Sequence, residues 1–86
     1  MITRDALASL LRDYLQHRIT RGALVDWAEH AMMDDEFDTG DFETIREITG
    51  RLGLADVREF GLTWEDCDGY LARLGYRTKV DVIQAS

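Results

Sequence analysis

Four six-residue stretches repeat one chemical pattern: ITRDAL from Ile2, ITRGAL from Ile19, FDTGDF from Phe37 and LTWEDC from Leu62. Each has an apolar residue, then a side-chain oxygen, then a second apolar or thiol side chain four residues after that oxygen. A hydroxyl or carboxylate in this place accepts a bond from an orphan N–H of a first helical turn. The apolar residue before it packs on the residue four after it, as a hydrophobic staple. Thr3, Thr20, Asp38 and Thr63 are therefore predicted N-caps. Asp41 and Asp66 fall three residues after their caps, where a capping box closes. Each cap contributes about 1 kcal/mol. The residues that follow the four starts do not align, so the pattern is one solution reused rather than a duplication.

Helical periodicity follows each start. Leu7, Leu10, Leu11, Tyr14 and Leu15 make one stripe, and Leu24, Trp27, Ala28, Ala31 and Met32 a second, with Val25 at its margin. Phe42, Ile45, Ile48, Thr49 and Leu52 make a third, and Cys67, Tyr70, Leu71 and Leu74 a fourth. Gly53 and Gly75 are read as helix stops. The piece LADVREFG leaves room for a short fifth helix before Gly61. After Gly75 the spacing changes: Tyr76, Thr78, Val80 and Val82 alternate with Arg77, Lys79 and Asp81, which is strand spacing. The predicted fold is all-α, a small four-helix bundle over residues 1–75 with an extended tail over 76–86. With no second strand in the chain, the tail either pairs with its twin in a homodimer, lies along its own domain or frays.

The 86 residues fit one domain. The net charge of −7 is uneven. Residues 1–22 carry four Arg and two Asp, for +2, whereas residues 23–47 carry nine acids and one Arg, for −8. Residues 48–86 hold five bases and six acids, for −1. An acidic middle repels phosphate backbones, so no nucleic-acid partner is expected, and it attracts a basic protein. The same acids also serve plain solubility. No apolar run approaches the roughly 20 residues of a membrane span, so no membrane partner is expected. One cysteine and an N-terminus unlike a secretory signal lead to the expectation of a cytoplasmic protein.

The run MMDDEFDTGDFETI invites comparison with a calcium loop, but neither register fits. Starting at Asp34 puts Thr39 where glycine belongs and Ile45 at position twelve. Starting at Asp35 aligns Gly40 but places Phe37 and Thr39 among the ligands. Asp26, His30 and Asp34 share a helix face, a spacing equally common on solvated helices. Cys67 falls on an inner face, as a small hydrophobe. No phosphate loop, zinc cysteine pair or nucleophile elbow is present. No cofactor, metal or catalytic activity is expected. Trp27 lies on its stripe and reads as core, while Trp64 at a helix start is open to a partner.

The segment YLQHRITRGALVDWAEHAMMDDEF resembles the opening of small bacterial immunity proteins of the colicin D immunity type. The likeness rests on Ile19, Thr20, Leu24 and the acids after Met33, over about a quarter of the chain. It implies a small acidic helical bundle that covers the basic active site of a tRNA-cleaving toxin with carboxylates. The tail and the LTWEDC helix lie outside it. The preferred function is an interaction module, immunity- or antitoxin-like, that presents Asp34, Asp35, Glu36, Asp38, Asp41, Glu43 and Trp64 to a basic partner. The alternative is a self-associating structural domain.

Overall fold

In the computed structural model, residues 2–34, 36–57 and 61–79 are described. They form four helices: α1 Arg4–Leu15, α2 Arg21–Asp34, α3 Phe42–Leu52 and α4 Trp64–Arg73. Three predicted caps close as expected. The Thr3 hydroxyl accepts from the Ala6 N–H and the Thr20 hydroxyl from the Ala23 N–H, each at 3.1 Å. Thr63 and Asp66 form a full capping box: the Asp66 N–H donates to the Thr63 hydroxyl at 3.1 Å, and the Thr63 N–H to the Asp66 carboxylate at 3.0 Å.

The fourth predicted cap works differently. The Asp38 carboxylate accepts from the Gly40 N–H, at 3.1 Å, and opens a single 3-10 turn over Thr39–Asp41. Helix α3 then starts one turn later than the sequence pattern suggests, with Asp41 at its N-cap and no side-chain cap bond. A donor two residues away competes with the helical donor three residues away, and here the nearer one wins. The Phe37–Phe42 staple survives this shift as an edge-to-face ring pair, 5.9 Å between centroids.

The helices end by two routes. After α1, the Arg18 N–H reaches the Asp13 carbonyl at 2.8 Å and the His17 N–H the Tyr14 carbonyl at 3.1 Å. This is a Schellman closure with His17 at φ +61°, where a Cβ is unfavourable. His17→Gly is accordingly expected to raise stability by about 0.5–1 kcal/mol, read as a higher urea midpoint at unchanged slope. Helix α4 closes the same way with the residue suited to it. Gly75 stands at φ +91°, its N–H on the Ala72 carbonyl at 3.1 Å and the Tyr76 N–H on the Leu71 carbonyl at 2.8 Å. Gly53 ends α3 without a left-handed residue, at φ −65°, and residues 53–56 continue as turns. No fifth helix appears among the described residues; Arg58, Glu59 and Phe60 lie outside them.

Helix α2 packs most extensively on α3, α1 on α4, and α1 touches all three of the others. The core is formed by Leu7, Leu11, Leu24, Ile45, Ile48 and Leu52, joined by Cys67 from α4 and Leu74 at its C-cap. Val25, read from sequence as marginal, is only 3% exposed, while Met32 is 38% exposed. The buried face of α2 thus includes Val25, and Met32, seven residues on and on nearly the same side, is left exposed near the helix end. Ile2 sits ahead of α1 and is itself buried. Its N–H donates to the Glu36 carbonyl at 2.6 Å, and its carbonyl accepts from the Asp38 N–H at 2.9 Å. This isolated parallel bridge to Phe37 clasps the α2–α3 connection to the start of the chain.

The described part of the tail, residues 76–79, has no strand partner among the described residues. It turns back at Gly75 and lies on its own domain. The Tyr76 hydroxyl donates to the Asp5 carboxylate and the Thr78 hydroxyl to that of Asp68. The alternation at Val80 and Val82, and with it the proposed dimer contact, lies outside the described residues.

Candidate functional site

The α2–α3 connection is built from a helix end, a clasped extended segment and a 3-10 turn. Its carboxylates do not all play one part. Glu36 is exposed while its backbone carbonyl is held by Ile2. Glu43 is exposed in the first turn of α3, where the helix dipole favours negative charge. Asp38 is half-buried and occupied by the Gly40 N–H. Asp41 is half-buried and stands 3.8 Å from the Arg4 guanidinium, a loose surface ion pair of small energetic weight. Asp34 is the last residue of α2, and Asp35 lies outside the described residues. Of the predicted acids, then, Glu36 and Glu43 face outward, whereas Asp38 and Asp41 shape the turn that carries them.

Two apolar side chains missed by the sequence reading flank these charges. Met33 is 82% exposed at the end of α2, and Phe42 is 45% exposed at the start of α3. Exposed apolar side chains rimmed by polar ones are the composition of a protein contact. Met33 gave a signal in the sequence, since it stands off the α2 stripe directly before the acidic run. Phe42 was masked by its role in the staple, which uses only part of the ring.

Trp64 belongs to a different surface. It is 45% exposed and lines a groove with α1 and the tail, in which no acid of the connection takes part.

Other candidate groups are accounted for by the fold. The His30 Nδ1–H donates to the Asp26 carbonyl at 2.8 Å, a bond along its own helix. Among the described residues, no three His, Cys, Asp or Glu side chains converge as metal ligands would. Cys67 is buried in the core, and desolvation, reinforced by the Asp66 charge, pushes its thiol up to about 11. It is protonated at neutral pH and packs as a hydrophobe. Glu47 is engaged across helices by the Arg73 guanidinium at 2.5 Å, and that bond holds its carboxyl below the usual range. No helix among the described residues is long and apolar enough to cross a membrane.

Fold and surface together define a small four-helix domain with a clasped acidic connection between its second and third helices. Compared with known protein families, curated proteins and solved structures, the chain matches none.

Proposed function

We propose that this chain is a protein-interaction module that docks on a basic site of a partner protein, in the manner of an immunity- or antitoxin-like inhibitor. The observation that carries the reading is the clasp. Hydrogen bonds from both sides of Ile2 hold the connection, so Glu36 and Glu43 project from a prearranged backbone. A prearranged surface avoids much of the ordering cost of binding. Asp34 and Asp35 extend the same charged stretch, Asp38 and Asp41 set its turn, and Met33 and Phe42 supply apolar contact beside it. Opposite charge then steers encounter and fixes orientation.

The test compares the wild-type chain with the triple variant Asp34→Asn, Asp35→Asn, Glu36→Gln. A basic protein captured from lysate by the immobilised wild type is purified and its association measured against both chains. The variant is expected to associate about tenfold or more slowly at low ionic strength, with the difference shrinking as salt rises. Helical circular dichroism is expected to be unchanged. Equal association rates for the two chains would show that these carboxylates do not form the contact.

A further inference from the structure

The tail and α1 border a groove of about 750 Å³, within the size range of small-molecule sites. Its charge runs against that of the chain. Among the described residues, three cationic side chains, Arg12, Arg77 and Lys79, line it, against one acid. That acid, Asp5, accepts the Tyr76 hydroxyl. The guanidiniums of Arg12 and Arg77 thus line a groove in a protein of net charge −7. Its cations come from opposite walls, Arg12 from α1 and Arg77 from the tail. Among the described residues, the acid that approaches the half-exposed Arg12 guanidinium is Asp13, at 4.0 Å, which leaves most of the Arg12 donors available. The rest of the lining is mixed: Leu15, Leu71 and the exposed Trp64 are apolar, and Ser9, Gln16 and Thr78 are polar.

We infer that this groove binds a small organic anion carrying an aromatic ring. The planar guanidinium forks suit the multidentate oxygens of a carboxylate, sulfonate or phosphate. Trp64 offers an aromatic face, and Leu15 and Leu71 offer apolar contact, to the body of the same molecule. An inorganic anion uses only the first set and a neutral arene only the second. The groove exists because Gly75 reverses the chain and the Tyr76–Asp5 and Thr78–Asp68 bonds hold the tail as its second wall. The site is separate from the acidic connection and stands or falls independently of it.

The experiment is a titration of the ¹⁵N-labelled full chain followed by NMR. Naphthalene-2-sulfonate is the probe, with naphthalene-2-methanol and inorganic sulfate as its neutral and ring-free counterparts. The chain has two tryptophans, so the two indole N–H signals report separately on Trp64 in the groove and Trp27 outside it. Saturable shifts of the Trp64 indole and the Arg77 and Thr78 amides are expected, with the Trp27 indole unmoved. Both counterparts are expected to bind about tenfold or more weakly. The double variant Arg12→Gln, Arg77→Gln is expected to lose about tenfold in affinity for the sulfonate while keeping the dispersed wild-type spectrum. An unmoved Trp64 indole, equal affinity for either counterpart, or undiminished affinity in the double variant would each overturn the assignment.

Discussion

Leu11→Ala is expected to destabilise the domain by about 3–4 kcal/mol, a large part of the roughly 5–10 kcal/mol that holds a chain of this size together. Leu11 is fully buried on α1, the helix that touches all three others, so the cavity left behind would border more than one helix. Structure on several sides relaxes poorly into a void, which places the cost toward the upper part of the usual range. The informative comparison is Leu10→Ala. Leu10 belongs to the same sequence stripe, yet it is only partly buried at the edge of the core. Its loss is expected to cost about 1 kcal/mol. Urea unfolding of both variants at unchanged slope measures the difference. Equal losses would mean that α1 presents a different face to the bundle.

Thr49→Val is expected to act in the opposite direction and raise stability by about 1–2 kcal/mol. Thr49 is fully buried on α3, and its hydroxyl has no hydrogen-bond partner among the described residues. A hydroxyl removed from water without a partner retains its desolvation cost, and valine removes the cost while keeping nearly the same shape. For a domain of this size each kcal/mol moves the melting temperature by about 4–8 °C, so the gain is readable in a thermal scan followed by circular dichroism. Thr49→Ala, which also deletes the methyl group, is expected to lose stability through the cavity it creates. A lower melting temperature for the valine variant would show that the hydroxyl is bonded in solution.

Particular residues show how far a linear reading of this chain reaches. Thr63 and Asp66 were legible as a capping box because both partners lie within one turn. Asp38 was legible as a cap but not as the cap of a 3-10 turn. The clue was Gly40, whose N–H offered a nearer donor. The stripe of α2 was read with Met32 inside and Val25 at the edge, and the structure reverses their exposure. The two are seven residues apart and share one side of the helix to within about 20°, so rotation does not separate them; Val25 lies inside the helix, whereas Met32 is two residues from its end, and how far the neighbouring helices reach along α2 is not written in α2 itself. The acidic connection was legible as a charge run. Its division into outward Glu36 and Glu43 and turn-forming Asp38 and Asp41 was not, because Ile2 and Arg4 come from the far end of the sequence.

The four helices, three of their four starts and most of their apolar faces follow from the sequence by itself, since caps, staples and periodicity act over three to seven residues. Tertiary structure alone decided that Ile2 clasps the acidic connection, that Tyr76 reaches back 71 positions to Asp5, and that a groove lined by Arg12 and Arg77 opens between α1 and the tail. Such contacts join residues whose separation along the chain carries no local energetic signature. They form only once packing of the four helices has brought the segments within reach.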